Sequence, residues 1–449
     1  MGNELLTGWG RTKPSRAAVE RPVDAAGVAA LFTDPPPRGF IARGLGRSYN
    51  DAAQNAGGAV LDATGLNRVV ALDADAGTIS VEAGASLGDL MALLAPRGWF
   101  VPVTPGTRHV TVGGAIAADI HGKNHHRDGS FGDHVRSFVL ASPDGERKVS
   151  RDSEPELFRA TVGGMGLTGI ILEATFDLVP IRTTWMSVDT DRTRDLDDTM
   201  ERMARGDERA RYSVAWIDVL ARGAALGRGV LTRADHADPG ELPPAARDRP
   251  LALDLPRGLP APPWVPGGLL NRATVRAFNE AWYRRAPTRE RGKPQALPAF
   301  FHPLDGVAGW NRIYGRRGFV QYQFVVPPGE DGTVRAIVER LGRERAPGFL
   351  VVLKRLGAGG AGYVSFPTPG WTLAIDLPAA TPGVSRLLDD LDLLVVAAGG
   401  RVYLAKDGRV RPELFREMYP QADEWRRIRG RHDRAGILRS DLARRLELL

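Results

Sequence analysis

Cysteine is absent from all 449 residues. That excludes disulfides, thiol nucleophiles and cysteine-held metals. Also missing is any run approaching the roughly 20 apolar residues that a membrane-crossing helix needs. The opening "MGNELLTGWGRTKPS" lacks the charged-then-apolar layout of an export leader. The chain is therefore expected neither to cross nor to insert into a bilayer by itself. Lysine is scarce beside arginine, and the basic residues are dispersed among acids. A net charge of +7 and a pI of about 9.8 then read as the arginine bias of a GC-rich genome, with no nucleic-acid partner implied. Only "EWRRIRGRHDRAGILRSDLARR" clusters basic residues. It is either the solvated face of the last helices or a seat for an anionic partner such as phospholipid headgroups.

Several familiar catalytic templates are missing too. "IARGLGRSYND" offers Gly44 and Gly46 but has Tyr49 where a dinucleotide fingerprint needs its third glycine, and no phosphate-loop pattern occurs. No nucleophile elbow is present, "YVSFPTPG" included. His121 and His125 are spaced four apart, yet Gly122 and Asn124 disfavour a helix between them and no glutamate follows His121. No metal site is expected from them.

What the chain does have is glycine, gathered at 44–46, 106, 113–114 and 163–169. Glycine lets backbone N–H groups approach an anionic or planar ligand closely. Four clusters in one 130-residue stretch favour a cradle for a large phosphate-bearing cofactor over turn glycines alone. Five of the eight histidines (His109, His121, His125, His126, His134) fall in the same stretch, as expected of groups beside a cofactor with one acting as acid or base. Lys123, Lys354 and Lys406 sit near strand ends and are either solvated or functional. Gln321 and Gln323 alternate with aromatics in "FVQYQFVV", which puts two amides on one strand face. They are expected to contact a polar ligand or each other's surroundings in the core.

Short strands are expected at "GFIAR", "GAVLD", "NRVVALD" and "TISVEAG". "SLGDLMALLAPRG" reads as a helix capped by Ser86, with Leu87, Leu90, Met91 and Leu94 as its apolar stripe and Gly98 as its stop. "VRSFVLASPDGERKVS" reads as a hairpin about Pro-Asp-Gly. "SEPELFRATVG" reads as a helix opened by a Ser153–Glu156 capping box, and "TGIILEATFDLVPI" as a buried strand. The proline-dense residues 236–268 form a long loop. Beyond them, "GFVQYQFVVP" and "TLAIDLP" are strands, while "EDGTVRAIVERLGRER" and "SRLLDDLDLLVVAAGG" are helices backing a sheet. The fold class is α+β with two domains.

Taken together, "RGLGRSY", "VPVTPGTRHVTVGGAIAADIHGKNHH", "ATVGGMGLTGI" and "RVYLAKDGR…MYPQADEW…ARRLELL" resemble the vanillyl-alcohol-oxidase type of flavoproteins, with the PCMH-type FAD-binding fold. Within that family the likeness is to the branch acting on a polyprenyl-phosphate ribose such as decaprenylphosphoryl-β-D-ribose. The resemblance implies an FAD domain over 1–183 and 401–449, and a substrate domain of antiparallel sheet and helices over 184–400. It implies oxidation of the ribose 2′-hydroxyl to a ketone, completed by a separate NAD(P)H-dependent keto-reductase as an epimerisation toward the arabinose donor of cell-wall arabinan. It implies a bacterial cytoplasmic or periplasmic enzyme held peripherally at the membrane. Flavin contacts carried over onto this chain are Ala42, Arg43, Gly44, Leu45, Gly46, Arg47, Ser48, Tyr49, Asn50 and Asp51, then Gly106, Thr111, Val112, Gly113 and Gly114. They continue at Ala118, Asp119, His121, Gly122, Lys123, Asn124, Ile171 and Tyr403. Lys406, His121 and Tyr49 are the implied catalytic residues, and Trp216, Gln321, Gln323, Lys354, Thr372 and Lys406 the substrate side. Ala374 stands where relatives carry cysteine, and Thr372 where asparagine is familiar. Relatives that attach flavin covalently place histidine in the loop that here holds Tyr49, so non-covalent FAD is expected. Two other readings stay open: an FAD-dependent oxidase of a soluble sugar, polyol or aldonolactone, and a non-redox phosphate- or nucleic-acid-binding protein.

Overall fold

A computed structural model describes residues 2–262 and 265–449; Pro263 and Trp264 of the proline-dense stretch lie outside the described residues. Three sheets position everything that follows. A four-stranded sheet runs in the order Asn3–Leu6, Ser15–Glu20, Ala59–Asp62, Phe40–Arg43. Its last three strands are parallel, so residues 44–58 must cross over before the chain re-enters the sheet. The first two strands have no counterpart among the sequence expectations. Asn3–Leu6 alternates exposed and half-buried positions and Ser15–Glu20 buries only Ala17 and Val19, so neither carries a strong apolar run.

The second sheet is antiparallel, ordered Val69–Asp73, Thr78–Glu82, Ile170–Asp177, Val135–Ser142, Gly145–Ser150. Ile170–Asp177 lies at its centre, bonded on both edges, which is why "IILEATFD" is so apolar. The hairpin turns at Pro143–Asp144, where Gly145 takes a φ of +99° that side chains resist. Against this sheet packs the helix Leu87–Leu94. Ser86 caps it by accepting from the Asp89 amide, and all four stripe residues are buried. The expected Ser153–Glu156 box does not form. Pro155 occupies the first turn of Pro155–Thr161, so Glu154 becomes the cap residue and Ser153 bonds back to Ser150 instead.

The third sheet has eight antiparallel strands: Arg289–Ala296, Trp185–Thr193, Gly229–His236, Tyr212–Ile217, Val351–Leu356, Gly370–Pro378, Phe319–Val326, Arg401–Val402. Helices Leu196–Gly206, Asp331–Arg343 and Val384–Ala397 lay their apolar stripes on one face. The opposite face carries polar side chains in register. Trp216 pairs with Val352, Val352 with Ala374, and Ala374 with Gln323; one step along, Lys354 pairs with Thr372, and on the other side Asp376 pairs with Gln321. Because directly paired residues share a face, this row is the wall of a site. The proline-dense stretch is irregular apart from two single turns and the pair Leu259–Pro260, which bonds in parallel to Val307–Ala308. Among the described residues no helix is long and apolar enough to cross a membrane.

A glycine cradle facing a polar sheet

Between the two smaller sheets and the polar face of the large one lies a cavity of about 510 Å³. One wall is backbone. The loop after Phe40–Arg43, the loop 105–111 running into the short helix Val112–Ala117, and residues 165–171 all present glycine there. The amides of residues 44–48 donate to no acceptor among the described residues, so the loop offers N–H groups to an anion. Closeness is built in. A Cβ on Gly44 would collide with the Thr111 side chain, and one on Gly113 would reach Ala83 Cβ at 3.0 Å, while Gly106 faces open space. The loop is held from behind. The Arg43 guanidinium donates to Thr7 O at 2.8 Å and Ala53 O at 3.1 Å, and Asn50 donates to Lys406 O at 3.0 Å. Arg445 grips Asp51 at 2.8 Å.

The facing wall is charged. Lys354 and Lys406 both stand half-buried on it, and desolvation lowers Lys354 to about 8. Lys406 falls to about 7, chiefly by burial and further by Lys354, while Asp376 pulls the other way. Burial raises Asp376 to about 7 in turn. Gln321 donates to Asp376 and, at 3.1 Å, to the Tyr49 hydroxyl. The Lys406 ammonium sits 3.9 Å above the centre of the Tyr49 ring. Desolvation holds the Tyr49 phenol well above its ordinary range, so it stays protonated.

His121 joins the two walls. Gln323 donates to its Nε2 at 2.8 Å and to Thr372 Oγ1 at 3.2 Å, and Thr372 passes its own proton to Phe324 O at 2.8 Å. The direction of that chain puts the ring proton on Nδ1, a buried atom with no partner among the described residues. Burial, then Lys354, His125 and Lys406, keeps the ring neutral.

Of the expected flavin contacts, Ala42, Gly44 to Tyr49, Gly106, Thr111, Gly113, Gly114, Ala118, His121, Ile171 and Tyr403 line this cavity, as do Gln321, Gln323, Lys354 and Lys406 from the substrate side. The others stand behind the lining. Val112 is core. Asp119 accepts from the Gly132 amide at 3.0 Å. Asn124 donates to Pro102 O at 2.9 Å, and Gly122 precedes it in the same turn. Lys123 is buried with its ammonium 4.2 Å above the Phe300 ring, donating to Phe300 O. Thr372 acts through Gln323, and Trp216 lies one strand beyond Val352 on the same face. Two residues that sequence reasoning passed over belong to the site. Asp376 is the lone acid in "TLAIDLP", a signal visible in the sequence once the strand is seen to face a cavity. Asp305 accepts from Thr107 Oγ1 at 2.7 Å and the Arg108 amide at 2.9 Å, so it fixes the 105–108 loop; nothing in its local sequence announces this.

FAD fits these residues. Free loop amides and close glycines suit a pyrophosphate, the unpartnered His121 Nδ1 awaits an acceptor, and the two lysines suit a group that gains negative charge on reduction. Comparison with known proteins agrees. Residues 17–150 match the family described as "FAD binding domain". The chain is 45% identical to decaprenylphosphoryl-beta-D-ribose oxidase of Mycolicibacterium smegmatis over 99% of this chain and 97% of that one. It is also 45% identical to an uncharacterized protein in the mprA 5′ region of Streptomyces coelicolor, over 81% of this chain and all of that one. L-gulono-1,4-lactone dehydrogenase of Mycobacterium tuberculosis is 31% identical over only 42% of each chain. Likeness that spans nearly all of both chains covers the charged sheet as well as the glycine cradle, and on that ground the protein is an FAD-dependent oxidoreductase belonging to the decaprenylphosphoryl-beta-D-ribose oxidase family.

Proposed function

We propose that this enzyme oxidises the 2′-hydroxyl of a polyprenyl-phosphate ribose, decaprenylphosphoryl-β-D-ribose or a close analogue, to the 2′-ketone. The observation that carries the reading is the pair of half-buried lysines, Lys354 and Lys406, on a wall that faces the cofactor cradle. Neutral sugars and lactones give no reason to bury two cations together, whereas a phosphorylated sugar and a reducible cofactor both supply negative charge. FAD, when bound, supplies the acceptor for the hydride that leaves C2′.

The chain's own residues do the rest. The hydroxyl proton passes to the Lys406–Asp376 pair, whose members both titrate near neutrality. Lys406, as the ammonium, stabilises the developing alkoxide. Tyr49 stays a neutral phenol under it, and His121, with its proton on Nδ1, serves as a hydrogen-bond donor. We assign the flavin half to 1–183 with 401–449 and the substrate half to 184–400. The ketone product requires an NAD(P)H-dependent keto-reductase to consume it, and a polyprenyl substrate requires contact with a membrane surface.

Anaerobic flavin reduction by a short-chain prenylphosphoryl ribose, compared with free ribose and gulonolactone, tests the reading. Bleaching by the phosphorylated sugar alone is expected; bleaching only by the free sugars would replace it with the soluble-substrate reading. Lys406→Ala is expected to keep its flavin and lose roughly 10²–10³-fold in reduction rate, the scale of a removed charge stabiliser. Because the loop over 42–51 holds no histidine, the residue by which relatives attach flavin there, acid precipitation should release the yellow colour into the supernatant.

A further inference from the structure

Most basic side chains of the C-terminal stretch are already paired with carboxylates. Arg426 pairs with Asp423 at 2.6 Å, Arg427 with Glu424 at 2.5 Å, Arg431 with Glu156, and Arg445 with Asp51 and Asp407 at 2.8 Å each. A different surface holds arginine without carboxylate. A groove of about 1110 Å³ is lined by Arg11, Arg272, Arg312, Arg316, Arg317 and Arg345. Its single acid, Glu344, is engaged by Arg340 at 3.3 Å. Arg272 is held below the ordinary guanidinium range by desolvation and then by the cations Arg345, Arg222 and Arg276. Such a cluster is held together at a cost in like-charge repulsion that an anionic ligand would remove.

Apolar side chains stand exposed on the segments that adjoin the groove in the chain. Leu269 is exposed within the segment that lines the groove, and Trp282 and Phe278 are exposed on the helix Arg272–Arg285, with rings stacked 6.0 Å apart. Leu259 is 80% exposed and Val307 42%, the latter lining the FAD cavity where its strand pairs with Leu259–Pro260. The turn Trp310–Tyr314 separates the two spaces: Trp310 faces the cavity, while Arg312 and Tyr314 face the groove. Unpaired arginines with exposed leucine and tryptophan are what an anionic bilayer surface recognises, charges at the headgroups and apolar tips below them. Nucleic acid would use the arginines but not Leu259 or Leu269.

We infer that this face, formed by the arginine groove with residues 259–262, 265–285 and 307–317, docks the enzyme on anionic phospholipid and sets the mouth of the FAD cavity against the membrane. The inference names the membrane contact that the proposed polyprenyl substrate requires, and in that sense it rests on the proposed function. The test does not depend on turnover. FAD-loaded full-length protein is floated with phosphatidylglycerol-containing vesicles and with pure phosphatidylcholine vesicles. Binding to the anionic vesicles only, weakened by salt, is expected. The triple variant Arg272→Gln, Arg316→Gln, Arg317→Gln should bind on the order of 100-fold more weakly, each basic residue near an anionic surface contributing about fivefold. It should retain its flavin and its rate with a short-chain soluble substrate. Leu259→Ser with Trp282→Ser should also weaken vesicle binding, while Arg427→Gln with Arg431→Gln should not. Wild-type affinity in the triple variant, equal binding to neutral vesicles, or loss on changing the C-terminal pair instead would overturn the assignment. Binding of an oligonucleotide that the triple variant loses and the Leu259, Trp282 variant keeps would overturn it in favour of nucleic acid. Failure of the substrate test with intact vesicle binding would leave the docking face standing and remove the proposed substrate.

Discussion

Asp376 and Lys406 form one titrating unit, because Asp376 is buried, Lys406 half-buried beside it, and each is the other's principal counter-charge. The sign of their coupling gives a prediction. Asp376 raises Lys406, and removing the carboxylate as Asp376→Asn takes away that attraction while leaving burial and Lys354 to act. The folded-state pKa of Lys406 must then fall further below 7. If the ammonium is the active form, the alkaline limb of the flavin-reduction rate moves to lower pH, by roughly one unit or more for a lost opposite charge at this depth. A stopped-flow pH profile of Asp376→Asn with its alkaline limb unmoved would separate the two residues. Sequence alone made Lys406 conspicuous by the rarity of lysine, whereas Asp376 was one of many acids. Its partner comes from a strand and a turn thirty residues apart, a juxtaposition that periodicity cannot express.

At the scale of elements, the strands Phe319–Val326 and Gly370–Pro378 of the large sheet were legible because its two faces answer to different demands, whereas Trp185–Thr193, Tyr212–Ile217, Gly229–His236, Arg289–Ala296 and Val351–Leu356 had no counterpart among the expectations. "FVQYQFVV" alternates, since one face packs on helices and the other on a cavity, and the amides of Gln321 and Gln323 mark the second face. The backing helix Val384–Ala397 was legible for the same reason, burying Leu387, Leu388, Leu391 and Val395 while leaving Leu393 exposed. What failed was local chemistry with two solutions. Ser153 had a capping role available, and Pro155 moved the helix start past it. The edge strand Asn3–Leu6 and its neighbour Ser15–Glu20 gave no strong apolar signal, since between them they bury only Ala17 and Val19. The packing of Val384–Ala397 is open to measurement. Leu391 is fully buried between helix and sheet, so Leu391→Ala should cost about 2–5 kcal/mol in denaturant unfolding. Since the cavity lies on the other face, its flavin-reduction rate at saturating substrate should stay near wild type.

Over the whole molecule, the last fifty residues decide whether the cradle holds together, and one arginine makes the connection. Arg445 lies in the short helix Asp441–Arg445 and pairs with Asp51 just past the glycine loop at 2.8 Å, and with Asp407 just past Lys406 at 2.8 Å. Both carboxylates are buried, and Asp407 is held below its usual range by Arg445 together with the amides of Arg409 and Val410, against the opposing effect of burial. A depressed carboxylate stabilises the fold above its unfolded pKa and loses that contribution as pH falls through the folded value, so this tie weakens only in acid. Arg445→Met leaves two buried charges without their cation. The expected penalty is about 3–5 kcal/mol at neutral pH, the cost of breaking a buried pair by removing one partner. Because the two carboxylates flank the flavin loop and the Lys406 turn, the loss falls on the cofactor-competent state first. The melting temperature of Arg445→Met should therefore recover with added FAD more steeply than that of Leu391→Ala, since ligand binding restores the state that the arginine held. Equal FAD dependence in the two variants would reduce Arg445 to an ordinary structural ion pair. A steeper dependence would show that the chain's return to its N-terminal half is part of how it holds the flavin.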